Sequence, residues 1–450
     1  MAAAATDMAK DRVRGLAFRL LRAWEREDKY INLLLDSPMA AELTGEERRF
    51  LTALLYGTVE RLLTLDFWIL RLTGKTPDRL APGTRALLRL GLYQLRFMDS
   101  VPDFAAIHET VALSAHEGER RFVNGVLRAA QRDPARLAFP AMEEDPVYAL
   151  SITYSFPRTI LELLLAQYGQ EMTERLLAAF NETAPLTLRV NTKKIDRQSL
   201  LARLCEAGHR AEPTAFSPVG VRLLDTVDPT CLVGFDEGLF YIQDEASQIA
   251  VAALGAENAS LAVDTCAAPG GKSFGMAIDM QAGKVISLDL HASKLSLIAS
   301  GAARLGLSDK ITVGEHNGEV SLSSLVGRAD AVLCDAPCSG LGVLGKKADL
   351  RYRAGDRLAE LPPLQERILS SATAYVKEGG VLLYSTCTLH TAENEDVCRA
   401  FLQTHPDFSA EEFSVGTLTS RDGMLTLLPP LHGTDGFFMA KFRKKQGRKA

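Results

Sequence analysis

Between residues 260 and 445, five short apolar runs alternate with helical stretches, and no other feature constrains the fold as strongly. The runs are LAVDTC, KVISLD, ITVGE, ADAVLCD and GGVLLYST. A strand–helix–strand rhythm calls for crossover helices and a mostly parallel sheet, because parallel neighbours cannot be joined by a two-residue turn. The rhythm ends in MLTLLPPLHGTDGFFMAKF, two strands around Gly433-Thr434-Asp435-Gly436. These are expected to form an antiparallel hairpin at the sheet edge.

The rest of the chain reads differently. Residues 1–133 give helix after helix, with Val13, Leu16, Ala17, Leu20, Leu21 and Trp24 at helical spacing and breaks at Thr44-Gly45, Gly74, Pro82-Gly83 and Val101-Pro102-Asp103. Short loops between amphipathic helices imply a bundle. The pattern stops at Pro134–Pro140. Residues 147–235 then mix the helix TILELLLAQYGQEMTERLLAAF with short strands in PLTLRVNTKK and VRLLD. LFYIQDEASQIAVAALG follows as a strand running into a helix. Three parts are therefore expected: an all-α bundle over 1–140, a small α+β unit over 147–235, and an α/β Rossmann-like domain over 236–445. Five parallel strands with a terminal antiparallel hairpin are the variant that methyltransferases use.

At 450 residues, 47% hydrophobic and 24% charged, the chain exceeds what one core usually supports, roughly 250–300 residues. No window nears 18 consecutive apolar residues, so a membrane-spanning helix is not expected. The start, MAAAATDMAKDR, has no secretory pattern, and seven cysteines make an odd, sparse count for a disulfide scaffold. A reducing cytoplasm and a monomer are expected. A net charge of −5 argues against coating nucleic acid by bulk charge. The balance is uneven, however: residues 1–140 carry 21 Lys+Arg against 18 Asp+Glu, and KFRKKQGRKA closes the chain with six cations.

Two constellations carry chemistry. In Asp264-Thr265-Cys266-Ala267-Ala268-Pro269-Gly270-Gly271-Lys272-Ser273, small residues and paired glycines follow a strand and open a helix, so backbone can approach a bound molecule. Asp289 ends the next strand, where a carboxylate can accept from ribose hydroxyls. Further on, Asp335-Ala336-Pro337-Cys338-Ser339-Gly340 follows the fourth strand and Ser385-Thr386-Cys387-Thr388 the fifth. If those strands are neighbours, about 4.8 Å apart, two thiols can flank one substrate atom. Cys205, Cys231, Cys334 and Cys398 are expected to be inert buried hydrophobes. No CxxC pair occurs and no His stands at ligand spacing from these thiols, so no metal is expected.

DTCAAPGGK, DAPCSG, TCTLHTAENE and GTDGFFMAKFRK closely resemble the RNA cytosine-C5 methyltransferases of the Nol1/Nop2/Sun family, and PLTLRVNTKK and GLFYIQDEASQ resemble its upstream segments. LLYGTVERL, LRLGLYQLRF, SVPDFAAIHETVALS and RFVNGVLRAAQR resemble the NusB-like helical domain fused to one bacterial member that acts on 16S ribosomal RNA. The resemblance implies S-adenosylmethionine as cofactor, held by Cys266, Ala267, Ala268, Pro269, Gly270, Gly271, Lys272, Asp289, Asn317 and Asp335. It implies RNA as partner. Cytosine C5 is too weak a nucleophile to be methylated unaided, and a thiolate adding to C6 makes it enamine-like. By resemblance Cys387 is that nucleophile, Cys338 serves release, and Asp335 holds or protonates the N3 edge of the base. A lowered pKa at Cys387 would assist the attack.

Three departures stand out. Asn317 occupies the usual place of an Asp near adenine. GKKADLRY replaces an Arg-Arg-x-Pro-Asp pattern while keeping Lys346, Lys347, Asp349 and Arg351. Tyr154-Ser155-Phe156-Pro157 is followed by Thr159 where a Trp is usual. The helical part would supply RNA contacts through Arg12, Arg14, Arg85, Arg89, Arg120, Arg121 and Arg128. The same chemistry on transfer RNA, and a non-catalytic RNA-binding scaffold for ribosome assembly, remain alternatives.

Overall fold

The computed structural model describes residues 2–447 apart from 28, 41 and 226. Arg448 and Lys449, two of the six terminal cations, lie outside the described residues. The chain divides into two compact units, one of 1–181 with 345–353 and the other of 182–344 with 354–450.

Nine helices among the described residues build the first unit: α1 (Ala2–Glu27), α2 (Ile31–Leu35), α3 (Gly45–Glu60), α4 (Leu62–Thr73), α5 (Pro82–Phe97), α6 (Asp103–Ala112), α7 (Glu117–Arg132), α8 (Pro146–Tyr154) and α9 (Arg158–Phe180). Local chemistry sets their ends. Thr44 and Glu47 form a reciprocal capping box that starts α3, and Gly74, at φ +69°, closes α4. The apolar spacing read from the sequence becomes one core around Val13, Leu20, Leu21 and Leu55, and a second around Trp68, Leu87 and Leu127. By its contacts helix α9 clusters with these helices. It packs on α8, which packs on α4, where Thr64 donates to the Ile152 carbonyl.

Residues 345–353 complete this unit. The Asp349 carboxylate accepts from the Ile31 amide at 3.1 Å and so caps the start of α2. The Arg351 guanidinium is buried, lies 4.1 Å from the centre of the Phe156 ring, and donates to the Phe180 carbonyl at 2.9 Å and to Asn181 at 2.8 Å. Asp349 and Arg351 of GKKADLRY are thus internal struts of the helical unit, a role no sequence spacing indicates, whereas Lys347 is exposed.

Three of the candidate RNA-binding arginines are committed to internal partners, two of them buried. Arg14 is buried and donates to Gln94 at 2.7 Å. Arg89 is buried, grips Asp66 through two bonds of 2.7 and 2.6 Å and also pairs with Glu25. Arg85 pairs with Glu25 at 3.0 Å. Arg85 and Arg89 neutralise the partly buried carboxylates of Glu25 and Asp66, and Arg14 satisfies a buried amide oxygen. Arg12, Arg120, Arg121 and Arg128 are exposed, the middle two sharing Glu117.

The second unit holds two principal sheets. The smaller is antiparallel, ordered β2 (Ala211–Pro213), β3 (Gly220–Leu223), β1 (Leu186–Val190), β4 (Phe240–Ile242), with α10 (Arg197–Glu206) and a core of Leu188, Leu200, Leu204, Val221 and Phe240. Strand β4, read as the opening of the third domain, instead completes this sheet by pairing Leu188 with Ile242. The larger sheet carries the predicted parallel strands β5 (Leu261–Asp264), β6 (Lys284–Asp289), β7 (Ile311–Glu315), β8 (Ala329–Asp335) and β9 (Val376–Thr386). Its order is β10-β14-β9-β8-β5-β6-β7, with β10 (Phe408–Ala410) and β14 (Phe437–Lys444). A two-stranded ribbon, β11 (Ser414–Val415) and β12 (Leu418–Thr419), precedes β13 (Met424–Leu427). The hairpin expected at the edge forms as β13 and β14, but β14 lies inside the sheet, between β9 on one side and both β13 and β10 on the other. Three-residue β10 is too short to give an alternating signal.

Helices cover both faces, as parallel strands require. α11 (Glu245–Leu254), α12 (Gly271–Asp279) and α13 (Ala292–Leu305) pack over one, α14 (Leu361–Ala372) and α15 (Glu395–Thr404) over the other. Cys334 and Cys398 are buried in this core, as expected. Cys205 and Cys231 are exposed, contrary to expectation: Cys205 follows buried Leu204 onto the outer face of α10, and Cys231 sits in a surface turn. Among the described residues no helix is long and apolar enough to cross a membrane, and no cluster of three His, Cys, Asp or Glu could hold a metal.

Arg89→Ala leaves the largely buried Asp66 carboxylate without its cation, while Glu25 keeps Arg85. The expected loss is about 3–5 kcal/mol of stability, read from urea unfolding of the whole protein, whereas Arg128→Ala is expected to stay within about 0.5 kcal/mol.

Candidate active site

The loop between β5 and α12 is held against β6 by backbone and carboxylate together. The Ala267 amide donates to the Leu288 carbonyl at 2.8 Å. Asp289 accepts from the Ala268 amide and from the His291 amide, each at 3.0 Å, so one acceptor position on each oxygen already organises the loop. Gly270 turns the chain at φ +109°, and a Cβ there would lie 2.5 Å from the Phe274 ring, so only glycine fits. Asn317, in the exposed loop after β7, accepts from the Glu319 amide at 3.0 Å.

Beside this loop is a cavity of about 170 Å³, lined by Gln243, Asp244, Asp264, Cys266 to Pro269, Gly271, Lys272 and Asp335. Two buried polar atoms of its lining, Asp264 Oδ1 and Gln243 Nε2, have no hydrogen-bond partner. The other Asp264 oxygen accepts from Ser273 at 2.7 Å. Burial pushes the Asp264 carboxyl up to about 7, and the neighbouring Asp335 charge adds to it, against the pull of Ser273, Lys272 and the Cys266 amide. Sequence reading overlooked both residues as binding groups, because an acid ending a strand and a Gln before a helix are common.

The two cysteine motifs meet. Strands β8 and β9 pair in parallel with Asp335 opposite Ser385, and the thiols beyond their ends stand 3.3 Å apart, Cys338 Sγ to Cys387 Sγ. The Asp335 carboxylate accepts from Lys272 Nζ at 2.6 Å and from Ser385 Oγ at 2.7 Å. Lys272 also lies 5.2 Å from the centre of the Phe437 ring. Burial opposes its charge, but Asp335 first and then Cys387 and Asp264 outweigh that and hold the ammonium above its ordinary range. Lys272, read from the sequence within the cofactor loop, therefore also pairs with the acid and interacts electrostatically with Cys387.

The environments of the two thiols differ. The contact with Cys387 and then burial push Cys338 well above the ordinary thiol range, and the Glu393 charge adds to this. Cys338 rests protonated, while the Lys272 cation interacts electrostatically with Cys387. Glu393 itself is buried. Desolvation works against its charge, but donors from His390, Ser339 and Gln365 overcome it and keep the carboxyl below its usual range. Backbone seals the arrangement: Gly342 donates to the Cys387 carbonyl at 3.0 Å and accepts from Gly436 at 2.9 Å, which gives the GTDG turn its place. A Cβ on Gly342 would stand 1.8 Å from the Gly436 oxygen.

A family model described as "16S rRNA methyltransferase RsmB/F" matches residues 251–443, the NusB family matches 11–132, and the ferredoxin-like domain of RsmF/B-like methyltransferases matches 156–230. The chain is 38% identical over 454 residues to a Bacillus subtilis protein named "Probable ribosomal RNA small subunit methyltransferase B", covering 97% of this chain and all of that one. The chain belongs to the RsmB/F methyltransferase family. The family resemblance read from the sequence motifs is thereby borne out, with its helical NusB part. The Escherichia fergusonii ribosomal RNA small subunit methyltransferase B is 33% identical over 414 residues, 91% of this chain and 93% of that one. Among solved structures, that of PH0851 aligns over 97% of this RsmB/F chain and 99% of its own, at TM-score 0.78 and 25% identity. A methyltransferase homolog from Pyrococcus horikoshii aligns over 67% of this chain and 99% of its own, at TM-score 0.57 and 27% identity.

Removing the Ser273 hydroxyl takes away a donor that favours ionised Asp264. In carboxyl-detected NMR titrations the native Asp264 midpoint is expected at about 7, and Ser273→Ala is expected to move it higher; no movement would exclude that bond as a determinant.

Proposed function

We propose that this methyltransferase moves a methyl group from S-adenosylmethionine to C5 of a cytosine in 16S ribosomal RNA, in the cytoplasm, through a covalent bond between Cys387 and C6. The observation that carries the reading is the pair of thiols 3.3 Å apart beside the Lys272–Asp335 pair.

The cavity residues fit the cofactor. An unpartnered acceptor on Asp264 and an unpartnered donor on Gln243 are what an α-ammonium and an α-carboxylate require. Asp289 retains acceptor capacity for ribose hydroxyls, the backbone of Cys266 to Gly271 lies along the cavity, and Asn317 would serve the adenine end. The bound cofactor would supply an electrophilic methyl group.

This chain's residues do the rest. Cys387, favoured as thiolate by Lys272, adds to C6. Asp335, held between Lys272 and Ser385, accepts from the exocyclic amine, and the Lys272 ammonium offers a proton at the N3 edge. Once Cys387 is bonded to carbon it carries no charge, so the largest influence raising Cys338 disappears. Cys338 can then ionise and take the C5 proton, which expels Cys387. Extracting the base costs a few kcal/mol, least in a locally unpaired target. The exposed Arg12, Arg120, Arg121 and Arg128 of the helical unit supply phosphate contacts.

Three measurements test the reading. Cys387→Ala is expected to abolish transfer and retain cofactor affinity. Cys338→Ala is expected to accumulate RNA-bound protein on denaturing gels, a band absent from the double variant, and bisulfite sequencing of ribosomal and transfer RNA from a deletion strain identifies the target. A Cys338→Ala protein that turns over freely would overturn the division between the thiols. Separately, only ionised Asp264 can receive an ammonium, so S-adenosylhomocysteine affinity should rise about tenfold from pH 6 to pH 8 for one titration centred near 7. Asp264→Asn should flatten that dependence in calorimetric titrations.

A further inference from the structure

The dipeptide Glu393-Asn394 stands just before α15, and its two side chains reach different cysteine loops. All four groups around the Glu393 carboxylate converge on it. One oxygen accepts from the Ser339 amide and from Gln365 Nε2, both at 2.9 Å, and the other accepts from Ser339 Oγ at 2.5 Å and faces His390 Nδ1 at 3.2 Å. Ser339 is the residue after Cys338. Asn394 brackets the other thiol: its carbonyl oxygen accepts from Thr386 Oγ1 at 2.6 Å and its amide donates to the Thr388 carbonyl at 3.0 Å. A strut joins the two halves, Ser339 Oγ to Thr388 Oγ1 at 2.7 Å. Both side chains are buried, and the Tyr384 hydroxyl pins the Glu393 carbonyl at 2.6 Å.

We propose that Glu393 and Asn394 are positioning residues that together set the distance between Cys338 and Cys387, Glu393 by fixing the Cys338 loop and Asn394 by fixing the Cys387 loop. Neither touches the reacting atoms. The buried carboxylate is a common acceptor for four groups from Ser339, Gln365 and His390, and an apolar side chain of similar size would leave the Ser339 amide unpaired. Two adjacent residues on one rigid backbone tie the loops to a single reference point. Independent tethers would let the thiols drift.

The spacing can be read without catalysis. Diamide takes up two hydrogens from two thiols as their S–S bond forms and is itself reduced to a hydrazine. The native thiols need close only from 3.3 Å to about 2.05 Å. In the full-length protein, trapped with iodoacetamide and mapped by mass spectrometry, Glu393→Leu and Asn394→Ala should each slow coupling of Cys338 to Cys387 by about tenfold or more, the scale of a misplacement near 1 Å. Should Glu393→Leu fail to fold, Ser339→Ala cuts the strut and leaves the carboxylate in place, with the same slowing expected. Coupling at the wild-type rate in the folded variants would overturn the proposal.

A second arm rests on the proposed reaction and fails separately. Incubated with target RNA and cofactor, Glu393→Leu should accumulate the covalent adduct because it disturbs the releasing thiol, whereas Asn394→Ala should slow adduct formation. General destabilisation would depress both steps alike. Slowed coupling with no adduct in Glu393→Leu would uphold the positioning role and reject Cys338 as the releasing group.

Discussion

The parallel pairing of β8 with β9 is the constraint on which the site depends. Registering Asp335 opposite Ser385 puts the acid and its hydroxyl donor on neighbouring strands, and lets the chains beyond them bring two thiols to 3.3 Å. A slip of one residue would turn every side chain of β9 to the opposite face and separate the pair. Burial on both faces of the sheet makes such a slip costly, since Leu382 and Tyr384 face one core and Leu383 the other.

Within that frame, burial does electrostatic work. Lys272, Asp264 and Glu393 sit where isolated charges would be expensive. Each is kept in a defined state by specific neighbours, and the outcome differs from group to group. Lys272 stays charged through Asp335, Glu393 through its donors, and Asp264 is left near neutrality with one oxygen unspent. The same logic makes the two cysteines unlike each other. The Lys272 cation acts on Cys387, and the Glu393 anion acts on Cys338.

The helical unit follows the same economy of charge. Its interior arginines, Arg14, Arg89 and Arg351, bind internal carboxylates, carbonyls and amides. Guanidinium groups suit this because five donors in a fixed fork can satisfy several acceptors at once. Positive charge counted along the sequence therefore overstates the positive surface offered to a polyanion.

Periodicity and turn chemistry alone determined the helical first part, the five parallel strands and the glycine turn, because each is a local pattern with a local physical cause. The family motifs located Cys338, Cys387, Asp335 and the cofactor loop for the same reason: each is a contiguous run. The tertiary structure decided what depends on contacts distant in sequence. It paired β4 with β1, put β14 inside the sheet, buried Arg14 and Arg89, exposed Cys205, and gave Glu393 and Asn394 their separate loops. A residue's type and spacing fix what it can bond to. Which partner lies within 3 Å is set by where the chain returns, and that is a property of the packed whole.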